Sequence, residues 1–285
     1  MLFRIKGGRS SVVGGKPAVR VDAITCLSSD PLERTAASIT LSPLHILALD
    51  TTTRAGSVAV VRDGSVLAER CGDASLTHGQ RLPGDLAAAL DAAHLNINDL
   101  DLFAVAAGPG SFTGLRVGIA TVQGLAVARS LNVVPVPTLE ALARSLGTHA
   151  AGEFVAAWMD GQRGEIFGSL YDETGRELMR PIAAPPERVL EAWQLTNDRS
   201  IVFIDDGAVR YRSILEQQLG RSVRIVDPPP LAATIARIAA TEPERAVHPH
   251  QVVPIYVRRP DAELARDRRR AAAVEDRQVQ NRELE

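Results

Sequence analysis

The sequence predicts an α/β protein, a mixed β-sheet with helices laid over it. Two observations carry that expectation. The ordered part of the chain opens with three short apolar segments joined by tight polar turns, the pattern of an antiparallel meander. Segments of helical period then alternate with buried strands, the pattern of parallel strands linked by crossover helices. A plain dinucleotide-binding unit is excluded, because it opens strand-helix-strand.

The elements follow in order. "HILALDTTT" supplies the first strand, an apolar run from Ile46 to Leu49 that ends in Asp50 and three threonines. "AGSVAVVRDG" supplies the second, Ser57 to Val61, and Asp63-Gly64 turns the chain into the return strand "SVLAERC". In "LTHGQRLPGDLAAALDAAH" the period changes: Leu82, Leu86, Ala89, Leu90 and Ala93 fall at helical spacing, and Pro83 sets the start of the helix near itself. "DLDLFAVAAG" is a buried strand that runs into the glycine-rich "VAAGPGSFTGLRVGIATVQGLAVAR". "NVVPVP" is a further strand and "TLEALARSL" a helix with Thr138 as its N-cap. A second unit begins near Phe154. "FVAAWMDGQRGEIFGSLYDETG" reads as two strands around Gly161 to Gly164 followed by a turn at Glu173-Thr174-Gly175. "PERVLEAW" is helical, "SIVFIDDGAVRYRSILEQQL" is strand then helix, and "PLAATIARIAA" is helix. No repeat is visible by residue identity, yet the similar strand-then-helix endings leave a duplicated architecture open.

Composition sets bounds on function. The 285 residues are 45% hydrophobic, enough to bury a real core, and the net charge of -2 gives no global reason to expect nucleic acid or a membrane as partner. No apolar run approaches the ~20 residues that span a bilayer, so the chain is expected to be soluble. Cys26 and Cys71 make neither a disulfide framework nor a metal pattern, which fits a cytoplasmic location. Residues 1–43 have no sustained period and no continuous apolar segment of a secretory signal; they are expected to be a disordered extension or an over-long start. The expected division is then 44–147 for a first subdomain, 148–257 for a second and 258–285 for a charged tail. Arg268-Arg269-Arg270 in that tail reads as an RNA contact or a solvated face, with neighbouring acids diluting any pull on phosphate.

The glycine-rich segment has two readings. A strand that ends in "AAGPGSFTG" and enters a helix turns backbone N–H groups toward an anion, with Ser111, Thr113 and the polar turn from Asp50 to Thr53 beside them. The segment lacks the Lys-[Ser/Thr] ending of a Walker A loop and the spacing Gly-x-Gly-x-x-Gly. From Thr113 to Ala128 the only charge is Arg116; Leu115, Ile119, Val122 and Ala126 form one apolar stripe, and Gly114, Gly118, Thr121 and Leu125 a second, roughly opposite. Such a helix is buried on two sides, either beneath another element of its own chain or against a separate protein. Other candidates are thin: His248-Pro249-His250 lacks carboxylate or thiolate neighbours, and Asp160, Arg163 and Glu165 form a polar site or a charged hairpin.

The segments "ILALDTTTRAGSVAVVRDG", "THGQRLP", "AAGPGSFTGLRVGIATVQGLA", "VVPVPTLEALA", "WMDGQRGEIF" and "PIYVR", in this order between His45 and Arg258, resemble the TsaB (YeaZ) family, the dimerisation subunit of the bacterial tRNA threonylcarbamoyladenosine complex. The resemblance implies an actin-like, Hsp70-like (ribonuclease H-like) fold of two related subdomains with mixed sheets flanked by helices. It implies a non-catalytic chain that dimerises with the catalytic paralogue TsaD, pairs with itself through an overlapping surface, recruits the small ATPase TsaE and meets tRNA through the complex. The paralogue's two metal-binding histidines match Thr138 and Leu142 here, neither of which is a good ligand. The resemblance further implies a vestigial phosphate loop of Asp50, Thr51, Gly108, Gly110, Ser111, Thr113 and Gly114, with no required cofactor and weak ATP or ADP binding. It implies a subunit interface on the helices from about Leu76 and about Thr113, with His78, Arg81, Leu82, Gly114, Arg116, Gly118, Thr121 and Leu125. The rival readings are an actin-like ATPase or small-molecule kinase using Asp50 and the turn from Gly110 to Gly114, a metallopeptidase, and an RNA-binding module using the tail.

Overall fold

Two five-stranded sheets of the same construction carry the fold. The first contains β1 (His45–Asp50), β2 (Ser57–Arg62), β3 (Ser65–Cys71), β4 (Leu102–Gly108) and β5 (Val133–Pro137), in the order β3-β2-β1-β4-β5. β1, β2 and β3 pair antiparallel, and β4 and β5 are added parallel to β1. The second contains β6 (Phe154–Gln162), β7 (Glu165–Tyr171), β8 (Glu177–Ala184), β9 (Ile201–Ile204) and β10 (Arg224–Val226), in the order β10-β9-β6-β7-β8 with the same senses. The computed structural model describes residues 43–147, 152–195, 200–221 and 223–258. The expectations for the N-terminal extension up to residue 42 and for the charged tail from residue 259 lie outside the described residues.

In the first half the helices are α1 (His78–Ala92), α2 (Phe112–Arg129) and α3 (Thr138–Ser145). In the second they are α4 (Pro186–Trp193), the short pair α5 (Asp206–Arg210) and α6 (Arg212–Leu219), and α7 (Ala232–Thr241). Both halves therefore run βββαβαβα, the actin-like plan, and the duplication left open by sequence is real. It extends to a turn. Asp50 at the end of β1 accepts from the Thr52 N–H at 2.8 Å, and Asp160, late in β6, accepts from the Gln162 N–H at 3.0 Å.

The closing helices knit the halves together. α7 packs on β1, β2 and β4 of the first sheet, while α3 packs on β6 of the second as well as on its own. A core shared by both halves results, in which Ile46, Ala104 and Val134 share a cluster with Val155, Met159, Ile235 and Ile238. The N-terminal N–H groups of α7 are held by the other half: Ser57 Oγ accepts from Leu231 and Ala232 at 3.2 and 3.0 Å, and Glu69 Oε1 from Ala233 at 2.9 Å. Arg245 pairs with both Glu140 and Glu242 at 2.9 Å, and Arg144 with the same two glutamates.

The structure corrects four expectations. α1 begins at His78, not near Pro83, because Thr77 and Gln80 cap it: the Thr77 N–H donates to Gln80 Oε1 at 3.0 Å. Pro83 lies inside the second turn. Thr138 is not the cap of α3 but its first residue; Pro137 stands before it, and the Thr138 side chain is fully buried. The sequence reading has no strand at β8, an edge strand whose residues are exposed or half-buried and show no clean alternation. It also has none at β10, three residues long at the opposite edge.

Candidate functional site

The glycine-rich turn joins β4 to α2, and its glycines are spent on close packing within the chain. A Cβ on Gly110 would collide with the Thr52 side chain, one on Gly114 with the Thr51 carbonyl oxygen, and one on Gly118 with Thr51 Oγ1. Thr51 is fully buried and donates its hydroxyl to the Gly114 carbonyl at 2.8 Å. The glycines thus let α2 lie directly on the loop that follows β1. The donors expected to face an anion are partly used as well. The Ser111 N–H donates to the Thr52 carbonyl at 2.8 Å, and Ser111 Oγ caps α2 by accepting from the Gly114 N–H at 3.2 Å. Gly108 is covered from outside by the Ile255 carbonyl oxygen. Of the turn's polar side chains, Ser111 and Thr113 are exposed.

The β1–β2 loop is clamped from its other side by α1. Arg81 is 7% exposed; it donates to the Ala55 carbonyl and pairs with Asp85 one turn on. The Thr53 carbonyl can only accept, so His78 Nε2 carries the proton in their 3.0 Å hydrogen bond, leaving Nδ1 to accept from Arg81 at 2.9 Å. Burial and the Arg81 charge hold the imidazole below its ordinary pKa, in keeping with a neutral ring. His78 and Arg81 therefore organise the loop, and Leu82 is buried in the first-half core. Of the residues expected at an interface, Arg81, Leu82, Gly114 and Gly118 are buried within the chain; His78, Thr121 and Leu125 are half-buried and Arg116 is exposed. The inner stripe of α2 lies where expected, with Leu115, Ile119, Val122 and Ala126 all buried.

Beyond these contacts the outer face of α2 is open. Thr113, Arg116, Ala120, Gly124, Val127 and Ala128 are exposed at helical spacing. On the neighbouring α1 so are Gly79, Pro83, Gly84 and Ala87. Across these ten positions Arg116 is the only charge, and Asp91, exposed one turn after Ala87, adds a carboxylate at the end of the same face of α1.

Where the two sheets meet, two buried carboxylates confront each other. Burial raises the pKa of Asp50 despite its hydrogen bonds from Thr52. Burial also raises Asp205 well above its ordinary value, and the charges of Asp206 and Asp50 push the same way. Asp205 follows β9 with φ 95°, a conformation that suits glycine, and its Oδ2 has no hydrogen-bond partner. The sequence offers no sign of that backbone state. The variant Asp205→Gly is expected to stabilise the fold by about 1 kcal/mol through released strain. Asp205→Asn keeps the strain but removes the charge. The native state holds its proton to higher pH than the unfolded chain does, so stability falls as pH rises above the ordinary carboxylate value of 3.8. The advantage of Asp205→Asn is then small at pH 4 and larger at pH 7, which urea unfolding at the two pH values measures.

Thr138 and Leu142, the positions matched to the paralogue's metal histidines, are both buried; Leu142 packs in the shared core and Thr138 Oγ1 has no hydrogen-bond partner. Among the described residues no group of three or more His, Cys, Asp or Glu is placed to hold a metal ion. His248 and His250 stack at 5.1 Å in a surface turn, and Asp160 pairs with Arg210 at 2.9 Å.

Comparison with known proteins agrees with this fold. Residues 72–203 match the family described as TsaD, tRNA N6-adenosine threonylcarbamoyltransferase. The chain is 30% identical over 234 residues to the tRNA threonylcarbamoyladenosine biosynthesis protein TsaB of Haemophilus influenzae, covering 75% of this chain and 94% of that one. It is 28% identical to TsaB of Bacillus subtilis, covering 77% and 96%. A solved structure of YeaZ from Pseudomonas aeruginosa superposes with a TM-score of 0.61 at 30% identity, covering 75% of this chain and 99% of that one.

Proposed function

This chain belongs to the TsaB (YeaZ) family of tRNA threonylcarbamoyladenosine biosynthesis proteins, and on that premise we propose that it is a non-catalytic scaffold. It dimerises with the catalytic paralogue TsaD and supports transfer of threonylcarbamoyl to the adenosine adjacent to the tRNA anticodon. The observation that carries this reading is the outer face of α1 and α2: exposed, built mainly of small residues and charged only at Arg116 and, in the last turn of α1, at Asp91. Small side chains let a facing backbone come close, and the scarcity of charge keeps desolvation cheap. The same face serves self-association, so homodimer and heterodimer compete for it. TsaE is recruited by the assembled pair, and tRNA is met through the complex in the cytoplasm.

The chain requires no cofactor of its own, and any binding of ATP or ADP is weak. Two observations support this. The Ser111 N–H and Ser111 Oγ are already engaged inside the protein, and the Ile255 carbonyl oxygen covers Gly108 while Gly110 is packed against Thr52. The reading is tested by mass spectrometry of tRNA nucleosides from cells depleted of this protein. Loss of threonylcarbamoyladenosine, restored by a copy that starts at Leu44, is the expected result. An unchanged level under verified depletion overturns the reading and revives an ATPase acting alone, whose turnover Asp50→Ala would abolish.

A further inference from the structure

The last described segment, Val252 to Arg258, leaves the first half and reaches the second across the ends of both sheets. Its base is fixed by Gln123 of α2, whose side-chain amide donates to the Pro249 and Val252 carbonyls at 2.9 and 3.1 Å. The Ile255 N–H then donates to the Ala107 carbonyl at 2.7 Å, and the Ile255 carbonyl rests on Gly108. Tyr256 lies against Phe112, the first residue of α2, with ring centres 5.4 Å apart, and its hydroxyl accepts from Arg116 Nε at 3.1 Å. Arg116 in turn covers the other ring at 3.9 Å. Two residues on, Arg258 has crossed to the second half, where it pairs with Glu165 at 2.7 Å and sits over Phe167 at 5.5 Å.

These anchor points have a common location. Ala107 and Gly108 end β4, beside the Asp50 end of β1. Glu165 begins β7, directly after the turn that follows Asp160. They therefore lie at the edges where the two sheets face each other and where the charge of Asp50 reaches Asp205. The interlaced α3 and α7 hold the halves together through the shared core, and a joint of that kind leaves rotation about it as the soft motion. A tie between β4 and β7 restrains that motion.

We infer that residues 252–258 form a clasp that ties β4 of the first half to β7 of the second and seats the first turn of α2, and that its release is the step that lets the two halves rotate against each other. Arg258 and Tyr256 act here as positioning residues. The clasp is polar at its far end, and its ion pair is about a quarter exposed on each side. A single substitution there should have a modest effect, whereas loss of the ring contact and the ion pair together should be large.

Hydrogen exchange of the full chain, read peptide by peptide, tests this. In Tyr256→Ala/Arg258→Ala the amides of residues 107–114 and 160–167 are expected to exchange about tenfold faster, while those of α3 and α7 keep wild-type rates. Glu165→Gln, which leaves the clasp sequence intact, is expected to accelerate the same amides by about two- to fivefold. Unchanged exchange at residues 107–114 and 160–167 in both variants overturns the clasp. Equal acceleration everywhere, α3 and α7 included, also overturns it, because the segment would then stabilise the fold without governing the rotation of one half against the other.

Discussion

Under the proposed pairing with TsaD, the Ala120→Arg variant is expected to fold like the wild type and to bind TsaD about a hundredfold more weakly. Ala120 is exposed at the middle of the outer face of α2, between Arg116 and Gly124. As a substitution on an exposed helical surface it should change stability by less than about 0.5 kcal/mol. In a tight helix interface the same guanidinium must be buried without a counter-ion or must hold the surfaces apart. A loss of about 3 kcal/mol at the centre of an interface corresponds to about a hundredfold in affinity. Surface plasmon resonance against purified TsaD gives the affinity, and circular dichroism melting confirms the fold. Leu178→Arg is the control, since Leu178 is 41% exposed on the edge strand β8, in the other half; it should bind normally. Wild-type affinity in Ala120→Arg would place the docking surface elsewhere. The same substitution should also shift any homodimer toward monomer in sedimentation, because self-association is proposed to use the same face.

Local chemistry in the sequence was enough to find the elements that decide this test. The Asp63-Gly64 pair takes φ values of 49° and 80°, which a tight hairpin demands and which those two residues tolerate. The inner stripe of α2 follows from periodicity because one face of an amphipathic helix can only point at the core. The second stripe was ambiguous for a physical reason. A glycine gives the same signal whether the backbone that comes close belongs to another protein or to a loop of the same chain. Half of that stripe meets the loop: Gly114 and Gly118 face Thr51, about 60 residues away in sequence. Thr121 and Leu125, further along, stay half-buried. Asp205 was illegible for another reason. Its backbone state is imposed by the tertiary fold against the preference of the residue, so no local pattern announces it. The motif "PIYVR" was visible as a resemblance, but its contacts with Phe112, Arg116 and Glu165 span up to 144 residues, and periodicity reads only near neighbours.

Gly118 and Gly124 sit in the same helix and are expected to respond to alanine with opposite signs. Intrinsic propensity alone favours alanine at both by about 1 kcal/mol. At Gly124 nothing lies within 4 Å of the new methyl group, so Gly124→Ala should raise stability by about that amount. At Gly118 the methyl group would collide with Thr51 Oγ1. That hydroxyl is buried and already donates to the Gly114 carbonyl, so it cannot swing away without stranding a polar group. Overpacking costs about 1–3 kcal/mol and occasionally more, and displacing the hydrogen bond adds about 1 kcal/mol. The costs exceed the propensity gain, and Gly118→Ala should destabilise by about 2 kcal/mol in urea unfolding. Thr51→Ala removes both atoms nearest to the clash, so the double variant should be less unstable than the sum of the singles. A stabilised Gly118→Ala would mean that α2 does not rest on Thr51, and the glycine face would then be free for a partner. The expected result carries a warning for experiments on docking. Charged substitutions at Gly118 would abolish binding by displacing α2 from its own chain, so the exposed Ala120 is the position at which a lost complex reports on the interface.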